Sequence, residues 1–261
     1  MHEPSRELLE ASGLRPKKSF GQNFLTDSHH LEAIARAVAS LVETKDTDIV
    51  EFGPGAGALT AHLVDVGVVH GVERDRDLVP ILRERFGRQA NIIEDNAATV
   101  ALDGYQDFVL AGNLPYHMTS TLLFRALHHA DRLRGAVFLV QREVAERVAS
   151  PEGSKRYGIL SVLVQHRFVT ELTHVVPRGA FWPVPDVDGG VLRLRTRAER
   201  APVPRLEEVV KAAFAARRKT LRNTIGKRFP GALARAGIDE KRRPETLNVD
   251  EFVALAEAAF A

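Results

Sequence analysis

The sequence predicts an α/β fold: a mostly parallel sheet with helices on both faces, followed by a small all-helical C-terminal domain. Three observations carry this. From residue 48, short β-rich runs alternate with amphipathic helical stretches, the pattern of repeated βαβ units. Those runs are nearly all apolar rather than alternating, as strands covered on both faces must be. Finally, "TRAERAPVPR" loses periodicity and gains two prolines, which marks a linker before a last helical stretch.

Taken in order, Leu31, Ile34, Ala35 and Val38 repeat at helical spacing behind Asp27 or Ser28, either of which can cap a helix. Then "DIVEFG", "VVHGVE" and "ANIIED" read as strands, joined by helical "ALTAHLVDVG" and "DRDLVPILRERF". Gly67 follows the first of these helices where a left-handed cap is wanted. "DFVLAGN" and "GAVFLVQ" supply two more buried strands around helical "TSTLLFRALHHA". Beyond Gln141, "LSVLVQHRF" reads as a helix, and "VTELTHVV" and "GVLRLR" as alternating strands that complete the sheet, in part antiparallel. The expected division is a domain over 1–197, a linker over 198–204 and a basic helical domain over 205–261. In the last of these, Val210, Phe214, Leu221 and Ile225 form an apolar stripe, and Lys211, Arg218 and Arg222 fall together on another helical face. "VDEFVALAEAAF" makes the final helix.

Composition narrows the function. The 261 residues suffice for one substantial core and a small second domain, and no apolar run approaches the roughly 18 residues of a membrane span. The absence of Cys excludes disulfides and thiolate metal sites and fits a cytoplasmic protein. The net charge of +2 conceals a division: Arg205 to Arg243 holds twelve Lys/Arg against four Asp/Glu, a net +8, which leaves the rest of the chain at −6. A basic block is commonly a solvated face, but this density points to a polyanion such as nucleic acid.

Two motifs carry chemistry. "EFGPGAGALT" closes a strand with Gly53, Gly55 and Gly57, which permit a tight turn and close approach of backbone to a ligand. Glu73 ends the next strand, twenty residues beyond Gly53, where a carboxylate can accept both ribose hydroxyls of an adenosine-containing cofactor. These features suit NAD enzymes and methyltransferases alike; no Lys-Ser/Thr follows the glycines, so a P-loop is excluded. In "AGNLPYHMTS", Pro115 restrains Leu114 to extended geometry, so its carbonyl can point outward. The Asn113 side-chain oxygen and the Leu114 carbonyl can then take both N–H groups of an exocyclic amine, while Tyr116 offers a face for the base to stack upon. A lone Asn is commonly a cap, but Asn-Leu-Pro-Tyr at the end of a sheet strand, where such sheets bind ligands, is far more specific.

These motifs, with "FGQNFL", "VERD", "SKRYG", "AFWPVPDVDGGVLRL" and "AFAARRKTLRN" in the same order, resemble the small-subunit ribosomal RNA adenine dimethyltransferases, the KsgA family, relatives of the Erm resistance methyltransferases. The resemblance runs from about Lys17 to the C-terminus. It implies a Rossmann-like class I methyltransferase that uses S-adenosyl-L-methionine to dimethylate two adjacent adenines near the 3′ end of small-subunit rRNA. By the same resemblance Asn23, Leu25, Gly53, Gly55, Glu73 and Asn113 contact the cofactor. Asn113, Leu114 and Tyr116 hold the base, and Phe181 stacks on its other side, although a core role for Phe181 suits the residues equally. The family's adenine-binding Asp aligns with Asn96, with Asp95 one position earlier, so either can serve. Lys211, Arg218 and Arg222 are the expected RNA contacts, and the implied partners are small-subunit rRNA and the immature small ribosomal subunit, met by a monomer. His29-His30 and His128-His129 suggest metal at first glance, but neighbours on a helix do not share a face, so no metal is expected.

Overall fold

A computed structural model describes residues 13–17, 20–216 and 218–261. The chain divides into two compact units, the first running to Ala145 and resuming over Glu171–Thr196, the second formed by Glu146–Thr170 and Arg197–Ala261.

A short strand β1 (Phe24–Leu25) leads into helix α1 (Ser28–Ala39). Asp27 caps α1, its carboxylate accepting the N–H groups of His29 and His30, and Leu31, Ile34, Ala35 and Val38 form the buried face. Next come β2 (Asp48–Phe52), a one-turn α2 (Thr60–Leu63), β3 (Val68–Glu73), α3 (Leu78–Phe86), β4 (Ala90–Glu94) and β5 (Phe108–Asn113). They are followed by α4 (Thr119–His128), β6 (Leu133–Gln141), α5 (Arg142–Val148), α6 (Ile159–Arg167), β7 (Phe168–Val176), β8 (Phe181–Trp182) and β9 (Gly189–Thr196).

Seven strands form one sheet in the order β4-β3-β2-β5-β6-β9-β7. The first five run parallel, and β9 is antiparallel to β6. Successive residues of β5 are all buried from Phe108 to Gly112, so both faces of the central sheet are covered, as its unbroken apolar run requires. Phe52 and Phe138 stack within this core at 6.3 Å between ring centroids. Strands β1 and β8 make a separate antiparallel ribbon in which Leu25 pairs with Phe181 and Phe24 with Trp182.

Two expectations are corrected here. Gly67 is not left-handed; an added Cβ would meet the Thr47 carbonyl oxygen at 2.6 Å, so its use is close backbone approach. The basic stretch is not one helix. α7 (Leu206–Phe214) ends, a single 3₁₀ turn covers Leu221–Asn223, and α8 (Ile225–Arg228) follows, before α9 (Ala232–Arg235) and α10 (Val249–Phe260). The N–H groups of Leu221 and Arg222 donate to the carbonyls of Arg242 and Glu240 rather than to a preceding turn. Lys211, Arg218 and Arg222 therefore do not share a helical face. A continuous helix would also have set Arg218 and Arg222 one turn apart with like charge.

The second unit takes in residues 146–170, which the sequence reading places with the first domain. Its aromatic centre explains why: Tyr157, fully buried, meets Phe214 edge-on at 6.4 Å, and Phe214 stacks on Phe252 at 5.8 Å. α10 begins at a reciprocal cap in which Asn248 accepts from the Glu251 N–H and Glu251 accepts from the Asn248 N–H.

Candidate active site

The carboxyl ends of β2, β3 and β5 and the segment before β1 surround one pocket in the first unit. Gly53 and Gly55 both have left-handed φ, +71° and +61°. An added Cβ at Gly53 would touch nothing within 4 Å, so this backbone faces open space that a ligand can fill. At Gly55 it would strike the Phe24 ring at 2.8 Å, so the loop is pinned between β1 and the pocket. The glycine turn thus has one face free and the other packed.

Glu73 is buried at 6% exposure, and its two oxygens accept the N–H groups of Gly55 (2.9 Å) and Asp75 (2.8 Å). Burial pushes its carboxyl above the usual range despite these bonds. Each oxygen keeps a lone pair, so the carboxylate couples the glycine turn to whatever hydroxyls enter the pocket. At the end of β4, Asn96 lines the pocket, while Asp95 is exposed and turns its carboxylate to the Asn96 N–H at 2.6 Å. The Asn96 side-chain oxygen accepts from the Ala98 N–H at 3.0 Å, which leaves its amide N–H groups for a ligand. Of the two neighbours, Asn96 is the one that lines the pocket.

At the end of β5, the Asn113 amide donates to the Asn23 carbonyl at 2.8 Å. Only the NH₂ can donate to a carbonyl, so the orientation is chemically determined and the side-chain oxygen is left as an acceptor. Leu114 is buried and donates its N–H to the Leu139 carbonyl at 2.9 Å, and Pro115, at φ −58° and ψ 131°, starts the 3₁₀ turn Tyr116–Met118. Tyr116 lies at the wall shared by the pocket and an open groove that Trp182 and Val184 flank. Its hydroxyl is buried and has no hydrogen-bond partner among the described residues; burial, with the Asp188 charge, raises its pKa and keeps it a donor. Asn23, Leu25, Gly53, Gly55, Glu73, Asn96, Asn113, Leu114 and Tyr116 therefore converge. Phe181 does not join them: it is 2% exposed within the core, and the aromatic side chain on the groove beside Tyr116 is Trp182.

A family profile described as ribosomal RNA adenine dimethylase matches residues 13–259. The chain belongs to that family. A ribosomal RNA small subunit methyltransferase A of Myxococcus xanthus (strain DK1622) is 44% identical, across 98% of this chain and 95% of the relative. One of Desulfitobacterium hafniense (strain Y51) is 41% identical, across 97% and 95%. Among solved structures, the 23S rRNA methyltransferase ErmE is similar at a TM-score of 0.70 and 27% identity, over 92% of this chain and all of that one. A dimethyladenosine transferase from Plasmodium falciparum shares the fold at a TM-score of 0.76 and 20% identity, over 89% and 95%.

Within the dimethylase pocket, sequence reasoning missed what secures the segment before β1. Lys17 reaches Asp75 at 2.5 Å and Asp77 at 2.6 Å, Gln22 donates to Asp75 at 2.9 Å, and the Lys17 N–H donates to the Gln22 side chain at 2.7 Å. Burial raises the Asp75 carboxyl, but the bonds from Lys17 and Gln22 outweigh it and hold it below the usual range. This clamp ties Lys17 and Gln22 to the end of β3 and so steadies the neighbouring Asn23, whose carbonyl orients Asn113. Glu51 is the second omission: it is 1% exposed, bonded by the Thr60 hydroxyl at 2.6 Å, and pushed up to about 7 by burial, with the Glu73 charge adding to the rise. An acid in a β-rich run was the available signal for it.

Proposed function

We propose that this family member is an S-adenosyl-L-methionine-dependent rRNA adenine N6,N6-dimethyltransferase acting on two adjacent adenines near the 3′ end of small-subunit rRNA. Its RNA partner in this reading is the immature small ribosomal subunit, met by a monomer in the cytoplasm. The observation that carries the reading is Asn113, whose N–H is committed to Asn23 and whose oxygen is thereby presented as an acceptor beside Tyr116. The 41–44% identity to proteins named small subunit methyltransferase A favours that RNA over the large-subunit RNA named for ErmE at 27%. Among the described residues no helix is long and apolar enough to cross a membrane.

The residues fit an adenosine-containing cofactor. Gly53 leaves room for it, Glu73 accepts its ribose hydroxyls, and Asn96 meets its adenine. When bound, S-adenosyl-L-methionine supplies an electrophilic methyl group. Asn113 and the Leu114 carbonyl accept the N–H groups of the target amine, which draws its lone pair out of ring conjugation and aims it at that methyl carbon. Tyr116 holds the base by stacking. The cofactor would supply its methyl group to the amine nitrogen and leave as the neutral thioether, and the ammonium so formed would lose its proton to solvent, so this chain need provide no general base.

The test offers purified small and large ribosomal subunits with labelled S-adenosyl-L-methionine. Label on small-subunit adenines, as dimethyladenosine, is the expected result. Label confined to large-subunit RNA would replace the reading with the ErmE-like one, and binding of small subunits without any transfer would make the chain an assembly factor.

A further inference from the structure

Three imidazoles converge near the amino end of α1. His29 and His30 stand on its first turn, and His174 comes from β7. His30 Nδ1 and His174 Nε2 are 2.7 Å apart, their ring centroids 5.0 Å apart, and the His29 ring lies 5.4 Å from that of His30 and 5.9 Å from that of His174. One ring nitrogen from each of the three lies within 4.8 Å of the others. The sequence reading set metal aside because adjacent helical residues diverge by about 100°. The fold adds a third imidazole 144 residues away, and the same divergence then lets His29 and His30 flank a common point with His174.

We propose that His29, His30 and His174 form a binding site for a divalent first-row transition-metal ion of the zinc, cobalt and nickel class, separate from the methyl-transfer site. Imidazole nitrogen suits these ions, whereas Mg²⁺ and Ca²⁺ require oxygen ligands that this set lacks. Tetrahedral zinc with Zn–N near 2.0–2.1 Å sets its ligand nitrogens about 3.4 Å apart. The His30–His174 pair must therefore open by under about 1 Å, and the widest separation must close by about 1.4 Å. All three rings can turn to do so, since His29 is exposed and the other two are only half-buried. The Asp27 carboxylate at the cap of α1 offsets the positive end of the helix dipole, which would otherwise oppose a cation there. Three nitrogens leave a fourth position for water. The ion would tie α1 to β7, and because Leu31 and Ile34 of α1 line the cofactor pocket, it would brace one wall of that pocket.

The experiment titrates the full chain, stripped with chelator, with Co²⁺ followed by Zn²⁺. One Co²⁺ per chain is expected, with the visible absorption of a low-coordinate nitrogen site, displaced by Zn²⁺ and accompanied by a rise in thermal midpoint. Removing a direct ligand should cost at least as much as removing an outer-shell partner, so His174→Ala should lower Co²⁺ affinity about tenfold or more. His29→Ala, which removes an exposed ring and keeps the His30–His174 contact, should do the same and guards against a His174 variant that fails to fold. His128→Ala should bind Co²⁺ as the unsubstituted chain does. No stoichiometric uptake, or uptake unaltered in the folded His29→Ala chain, overturns the proposal.

Discussion

Asn113→Ala removes one oriented oxygen and one bond to the Asn23 carbonyl, while the backbone around it stays paired through β5 and β6. We expect a folded protein with near-normal RNA affinity and a single-turnover methylation rate lower by about a hundredfold or more, the usual cost of losing one polar group aimed at a transition state. A rate within a few-fold of the unsubstituted chain would reduce Asn113 to a fastener of the segment before β1. Glu73→Ala belongs to binding instead. Losing its charge-assisted bonds should weaken cofactor affinity by roughly 1.5–3 kcal/mol, read by calorimetry, with RNA affinity little changed. Glu51 titrates at about 7 in the folded chain against 4.5 for an ordinary Glu, so the native state holds its proton longer than the unfolded state does. This group's penalty is absent below pH 4.5, grows as the pH rises towards 7, and is constant above. Glu51→Gln should remove that slope and gain up to about 3 kcal/mol on the unsubstituted chain between those limits. Parallel urea-stability curves for the two chains from pH 5 to 8 would contradict it. Of these residues, Asn113 and Glu73 could be read from the sequence because motif spacing ties them to strand ends. Glu51 could not, since its elevation comes from burial and from the Glu73 charge, against the lowering bond from Thr60, and only the folded sheet brings these together.

The glycine turn between β2 and α2 shows how one backbone conformation links two elements. Gly55→Ala would strain φ +61° and drive a methyl group into the Phe24 ring, displacing β1 and, through it, the segment that holds Asn23. Cofactor affinity should fall by about tenfold or more, since strain at such a position typically costs 1–3 kcal/mol. Gly53→Ala carries the same kind of backbone strain at φ +71° but meets no neighbour in the protein, so it should cost less thermal stability than Gly55→Ala while still lowering cofactor affinity; equal effects of both variants on stability alone would separate the turn from ligand binding. The five parallel strands were readable because each is an apolar run closed by a turn residue or a helix. The ribbon of β1 and β8 was not, since two residues per strand leave no period to detect. Nor was the break after α7, where Ala215 to Arg222 holds no Gly or Pro and the interruption comes from bonds to Glu240 and Arg242, eighteen and more residues further on. Phe181 and Trp182 illustrate a finer limit: strand alternation sends neighbours to opposite sides, and nothing local in "AFWPVP" says which ring faces the core.

Across the whole chain, charge is divided by unit as well as by sequence. Lys211 pairs with Glu207 at 2.5 Å and Arg222 with Glu240 at 3.4 Å, both exposed, while Arg218 is exposed and has no ion pair among the described residues. Exposed pairs of this kind contribute about 0–1 kcal/mol, so Lys211 and Arg222 can exchange their partners for phosphates at little cost. The loss of a common helical face removes the argument that the three cations meet one stretch of backbone together, but each still presents its charge to solvent. Neutralising all three to Gln keeps helix propensity at Lys211 in α7 and leaves the buried apolar residues of the second unit untouched. If each meets a phosphate, subunit affinity should fall and the log-log salt slope should shrink by about 0.7–0.9 per contact, hence by roughly 2–3 in total. Cofactor affinity should not move, because Gly53, Glu73 and Asn96 all belong to the first unit. Binding of purified small subunits measured at several salt concentrations decides the matter. A slope reduced by only one such increment would leave one of the three as a phosphate contact, for which the single Arg218→Gln variant is the first test, and superimposable slopes would assign the net +8 stretch to an ordinary solvated face.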